Sequence, residues 1–262
     1  MKHSANHISA KQILLRLFSL VLVTTVLSGC AMKTNLAGAK SSTSQAQTAK
    51  SACGTEIDLS ESINKLSSEV SADTAEVTKT LAEYSRQSPE CRAEIITTLI
   101  RAMDKTELNF LTDRSSFFLW SNGSTLLGEL KAVEALDLLI KHLELNDGEF
   151  SASMKHQPAV TGVVLMGSLA VPKLSQAVKD GKSRNLRLAA ALCLVEIGGS
   201  EAVSALARAL SSESDPCVAN FVRTSLKISD KEQDVRNGSS PSDFDSLAQL
   251  RRQLVISYRC AG

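Results

Sequence analysis

The chain has 262 residues, 29 Lys+Arg against 28 Asp+Glu and a formal net charge of +1. No clustered basic excess is present, which argues against nucleic-acid binding, because duplex recognition needs a concentrated cationic face. Aromatic residues make up 4%; with Ala, Leu, Ser and Val abundant, the composition suits closely packed helices, in one globular domain or a short repeat array.

The first nine residues are mostly polar, with Lys2 near the front and Lys11 following. An apolar run from Leu17 to Leu27 comes next and ends in Leu27-Ser28-Gly29-Cys30. A membrane-spanning helix needs about 20 apolar residues, so this shorter run reads as the hydrophobic region of a secretory signal. Together with its last four residues it resembles a bacterial lipoprotein signal peptide closed by a lipobox. The resemblance implies a signal peptide over residues 1–29, cleavage before Cys30, and acylation of the Cys30 sulfur and of its new amino group. Several acyl chains would hold the protein permanently at a membrane surface. Ala31 is not the Asp that retains many such lipoproteins at the inner membrane, so the implied location is the cell envelope, with an outer membrane favoured. Removing residues 1–29 takes away Lys2, Lys11 and Arg16 and no acid, leaving 26 cations against 28 acids, a net charge of −2.

Residues 30–54 are rich in Ser, Thr, Ala, Gln, Lys and Gly, and too poor in large apolar groups to bury a core. They read as a flexible tether. Helical pattern begins near Ile57. Leu59, Ile63, Leu66 and Val70 form one apolar stripe, and Val77, Leu81 and Tyr84 a second, starting near Ser71 to Thr74. Ser88 followed by Pro89 is a helix-start signature, and Ile95, Ile96, Leu99, Ile100 and Met103 supply that helix's face.

Beyond residue 113 the pattern becomes repetitive. The clearest copy is Arg184 to Leu210. Its first helix has a stripe of Leu186, Ala189, Ala190, Cys193, Leu194 and Ile197; Gly198-Gly199 turn the chain, and Ser200 is placed to cap a second helix with Val203, Leu206, Ala207 and Leu210 inward. Similar pairs fall at Leu127 to Leu143 and at Pro158 to Val178, and a fourth begins at Asp215-Pro216 and runs to Ile228. In the earliest of these, Asn122-Gly123 either turns the chain or sits within a helix at a cost of about 1 kcal/mol. The corner glycines Gly128, Gly167 and Gly198 are separated by 39 and then 31 residues. A small helix pair cannot bury both of its stripes alone, so such pairs stack.

LGELKAVEALDLLIKHL, AVPKLSQAV and LRLAAALCLVEIGGSEAVSALARAL with DPCVANF resemble HEAT-like repeats of the kind first named from phycobilin lyases. The resemblance covers residues 115–228, although Lys131 stands where a corner glycine is usual. It implies an all-α fold, an α-solenoid of short antiparallel helix pairs over residues 55–228 with a concave protein-binding surface. No bilin lyase residue matches, so that activity is not implied. Residues 229–262 read as a turn-rich linker and a last helix, with Leu247, Leu250, Leu254, Val255 and Tyr258 covering the end of the array.

The loop Glu144 to Gln157 is long for such an array; it is either a tolerated surface insertion or functional, since long loops carry function more often than the elements they join. Glu149, Phe150, Met154, Lys155, His156 and Gln157 are therefore candidate partner-binding residues, with Arg114 and Trp120 from the aromatic cluster that also holds Phe117 and Phe118. A core role for Trp120 competes with that reading. Only His142 and His156 remain after processing, and no metal-ligand spacing exists. His142 reads as an exposed helix position. No catalytic residue, metal or cofactor is expected. Convergence of Asp113, Arg114, Lys155 and His156 would be needed for an enzyme or enzyme-accessory subunit on the same scaffold, and a structural envelope component is the third reading.

Five cysteines remain after Cys30, and an odd number leaves at least one thiol unpaired. Cys193, in the middle of an apolar stripe, is the expected free one. Pairing Cys53 with Cys91 and Cys217 with Cys260 would tie each terminal segment to the helical body; spacing alone does not fix the connectivity. The function these features favour is a lipid-anchored envelope scaffold that binds a protein partner.

Overall fold

A computed structural model describes residues 52–54, 57–69, 71–106, 113–145, 157–236, 246–251 and 253–254. All of them belong to the second of the two units into which the chain divides, Ala49–Gly262. The fold is all-α, with no strand among the described residues. In order the helices are α1 (Leu59–Leu66), α2 (Ala72–Gln87), α3 (Pro89–Lys105), α4 (Arg114–Glu129), α5 (Leu136–Lys141), α6 (Pro158–Met166), α7 (Val171–Asp180), α8 (Arg184–Ile197), α9 (Gly199–Ser212) and α10 (Pro216–Arg236). The expected signal peptide, Cys30 and most of the expected tether lie outside the described residues.

Local chemistry accounts for the boundaries. Side-chain oxygens of Asp58, Ser71, Ser88 and Ser183 accept the orphan N–H groups of Glu61, Thr74, Cys91 and Leu186, starting α1, α2, α3 and α8. Pro89 and Pro158 sit in first turns, where a missing N–H costs nothing. Between α8 and α9 the turn is a single residue. Gly198, at φ +65°, ends one helix and caps the next, and Gly199 at φ +82° follows. Both angles lie in the left-handed region that glycine alone enters freely. Ser200 therefore stands inside α9 and makes no cap.

The corner before α5 departs from the expected pattern. Gly128 is not a corner residue but lies within α4, and the chain turns at Lys131, which takes φ +52°. The reason for the glycine is packing. A Cβ on Gly128 would stand 2.5 Å from Gly162 O, and one on Gly162 would stand 2.4 Å from Ser124 O, so α4 and α6 touch through their backbones. Gly123 is likewise helical, and a Cβ there would meet Met103 Sδ of α3 at 2.9 Å. Pro158–Asp180 is long and apolar enough by composition to cross a membrane. Gly167, at φ +68°, and a 3-10 turn at Gly167–Ala170 divide it into α6 and α7 instead.

The helices pack in two rows. In one, α2, α4, α6, α8 and α10 each touch the next; in the other α5 touches α7, and α7 touches α9. Residues Leu188 to Leu194 of α8 are all buried, since α6, α7, α9 and α10 surround that helix. The inward stripe of α9 is Ala202, Ala205, Leu206 and Ala209, and Ala207 faces solvent. Helix α10 runs past the expected end at Ile228 to Arg236. Helical residues at 246–251 and 253–254 return against this end, with Leu254 buried and Arg251 paired to Glu232 of α10.

Polar links tie each pair to the one before it. Arg92 Nη2 donates to Leu130 O at 3.1 Å, Ser183 Oγ to Glu144 Oε2 at 2.6 Å and Arg184 Nε to Asp215 Oδ2 at 2.7 Å. Lys131 Nζ donates to Leu165 O, and Lys173 pairs with Asp137. The partners in these links are 31 to 39 residues apart. Arg187 meets Glu213 at 2.9 Å and donates to Gly181 O at 3.0 Å, holding the start of α8 to the connection between α9 and α10.

Cys53 is bonded to Cys91 of α3, and Ala52 N donates to Glu94 Oε2 at 2.7 Å. The expected tether thus joins the folded body before residue 54, with Cys53 buried. Cys217 is also disulfide-bonded, Cys193 is free and buried, and Cys260 lies outside the described residues.

Candidate functional site

The sequence-based candidates are not gathered in one place. Glu149, Phe150, Met154, Lys155 and His156 lie outside the described residues. Gln157 is 3% exposed at the start of α6, where its carbonyl accepts from Val160 and Thr161 N–H, and it offers no surface to a partner. Trp120 is 1% exposed and is a core residue. It fills the space between α4 and the end of α5, with its ring edge-on to His142 at 5.0 Å. Of the pair Arg114 and Trp120, only Arg114 is accessible; its guanidinium lies over the rings of Phe117 at 5.0 Å and Phe118 at 5.3 Å.

The same geometry bears on catalysis. Asp113 accepts from Ser115 N at 3.0 Å and from the hydroxyls of Ser115 and Ser116, which lowers its carboxyl to about 2 and occupies it as the cap of α4. His142 is half-buried at the end of α5, not exposed, and burial beside Lys141 lowers its pKa, leaving the imidazole neutral at pH 7. Burial pushes the Cys193 thiol far up, which makes it inert. No metal-ligand cluster exists among the described residues.

An open depression does exist, between α2 and α4. It encloses about 400 Å³. Thr74, Ala75, Thr78, Lys79, Ala82 and Arg86 line one wall, three- and four-residue steps along α2; Asn122 and Glu129 of α4 line the other. Several polar atoms in it are already committed. Thr78 Oγ1 donates to Thr74 O at 2.9 Å, Thr74 Oγ1 to Glu69 O at 3.1 Å, and Asn122 Nδ2 to Leu66 O at 2.8 Å. Exposed Arg86 and Glu129 make no ion pair among the described residues, and Lys79 has only a long contact to Glu83 at 3.8 Å. The groove therefore offers two cations and two alanines on one wall and an acid on the other. No nucleophile stands beside a base here, so what the arrangement can do is bind, by shape and charge.

A second depression, of about 480 Å³, lies between α1 and α2. Its acids Asp58, Glu61, Asp73 and Glu76 outnumber its one cation, Lys65, which Glu61 already neutralises at 2.8 Å.

Sequence reading did not join Lys79, Arg86, Asn122 and Glu129 into one site. The available signal was the alanine pair Ala75 and Ala82, seven residues apart on the face of α2 opposite Val77, Leu81 and Tyr84. No family model matches the chain, and no curated protein or solved structure matches it either.

Proposed function

We propose that the protein is a lipid-anchored scaffold of the cell envelope that binds a protein partner. In this reading the helix pairs form an α-solenoid of HEAT-like repeats, Cys30 carries the acyl chains, and the α2/α4 groove receives a segment of the partner. The two rows of helices and the links recurring at 31 to 39 residues favour a repeat array. The observation that carries the binding reading is the groove itself, with Arg86 and Glu129 facing across it unpaired. Charges left without a partner on facing walls suit a segment that carries both signs. The loop from Glu144 to Gln157, with Glu149, Phe150, Met154, Lys155 and His156, is the second proposed contact region.

Photo-crosslinking in intact cells tests this reading. Probes placed at Arg86 and at Phe150 capture one protein in common, and Ala75→Leu, which fills the groove, abolishes capture at position 86. Capture of no protein at either position, in a folded chain, would sink the scaffold reading. Cys30→Ser tests the anchor separately, by shifting the protein from the membrane fraction to the soluble one.

A further inference from the structure

Among the described residues three large apolar side chains are exposed: Val133 at 46%, Leu165 at 36% and Leu169 at 50%. They share one edge of the helix rows, where α4 and α6 end. Leu165 Cβ lies beside Gly128, Lys131 Nζ donates to Leu165 O, and Val133 follows Lys131 by two residues. Leu169 is in the corner directly after α6.

The N-terminal chain enters the fold on that same edge. Cys53 is bonded to Cys91, and the next residue, Arg92, reaches Leu130 O and Glu134 in the corner that carries Val133. From Cys30 to Cys53 there are 23 steps of chain. They span at most about 80 Å, with a root-mean-square span of about 26 Å for a flexible coil. An anchor at Cys30 therefore keeps this edge within reach of the bilayer.

We propose that this edge is a lipid-docking surface, with Val133, Leu165 and Leu169 entering the interface of the membrane to which Cys30 is attached. The inference rests on the anchored reading. Three side chains make a patch too small to recruit a free protein, but a tether turns docking into an intramolecular event with a high effective concentration. Charge selects the kind of surface. Arg92 and Lys173 are held in direct pairs with Glu134 and Asp137. A neutral rim fits zwitterionic headgroups and makes docking insensitive to salt.

The test uses full-length protein bearing its own lipid, reconstituted in phosphatidylcholine vesicles containing a doxyl-labelled lipid quencher. A fluorophore is attached at Leu165→Cys, at Leu169→Cys or, on the opposite edge, at Ser211→Cys. Quenching of at least twofold at 165 and 169 and none at 211, unchanged between low and high salt, is the expected result. In a second variant, Leu169→Asp, the protein still floats with the vesicles while quenching at 165 is lost. Equal quenching at all three positions, or none in protein whose mass shows acylated Cys30 and which floats with the vesicles, overturns the docking surface and leaves the anchor standing. An unmodified Cys30 overturns both.

Discussion

Helix α4 has two neighbours in its row, and it meets them in opposite ways. Against α6 the backbones touch, because Ser124, Gly128 and Gly162 bring nothing larger than a hydroxymethyl group to the crossing. Against α2 a groove of about 400 Å³ stays open. Small residues alone do not explain closure, since α2 also presents Ala75 and Ala82. What differs is the surroundings. The α4/α6 crossing is flanked by the buried Leu127, Val160 and Val163, whereas the α2/α4 apposition is flanked by Lys79, Arg86 and Glu129, which gain nothing by leaving water. Helix α1 also packs on α2, α3 and α4, and Asn122 holds its last carbonyls, so α1 props that side. A close approach needs both small residues at the crossing and apolar residues around it.

Four changes test this contrast. The Cys53–Cys91 bond closes a loop with a sequence separation of 38 that contains α1 and α2 but no part of α4 or α6. Cys53→Ser with Cys91→Ser lowers stability by about 4 kcal/mol on loop-closure grounds. Hydrogen exchange rises most in α1 and α2 and least in α6. Gly162→Val forces the tight crossing apart, because its Cβ would stand 2.4 Å from a backbone oxygen. It costs about 3 kcal/mol in urea unfolding; a loss below about 1 kcal/mol would mean that the helices separate freely and the contrast is overdrawn.

The third test is pH. His142 packs on Trp120 of α4, and its folded pKa is lowered by burial from 6.5. The unfolded imidazole therefore takes a proton at a higher pH than the folded one. The stability contributed by this site is complete above pH 6.5 and falls as pH drops below it, by less than about 1 kcal/mol for a half-buried ring. The slope of the urea midpoint between pH 7.5 and 5.5 flattens in His142→Gln. Last, Ala75→Leu adds a side chain on the open side. Stability changes by less than about 0.5 kcal/mol there, in contrast to Gly162→Val, and only partner capture is lost.

Much of the local structure is legible in the sequence, because caps and corners are short-range chemistry. Ser71, Ser88 with Pro89, Gly167 and Gly198 mark ends that the chain enforces within a few residues. Helical character throughout follows from the spacing of apolar residues in the same way. The misreadings share one cause. A stripe shows that a helix has an inner face, but its exact orientation depends on neighbours that lie about thirty-five residues away. Gly128 looks like a turn until Gly162 is seen against it. Ala207 belongs to a plausible stripe, yet the contacts of α9 with α7 and α8 select Ala202, Ala205 and Ala209 instead. Trp120 is open in the sequence to a core or a surface role, and its 1% exposure settles it as core. The groove was hidden for the converse reason: it is defined by what α2 and α4 fail to bury, and a pattern of polar residues on a helix face is the same whether that face borders a cleft or open water.

The disulfide also determines how the body responds to mechanical load. A pull applied to the N-terminal chain arrives at Cys53 and passes through sulfur directly into α3, supported there by the Glu94 clamp on Ala52 and Cys53 N–H. Helices α1 and α2 lie within the closed loop and carry none of that tension. The wall of the groove that α2 provides keeps its shape under that load, and reduction of the bond reroutes the force through α1, which then peels first.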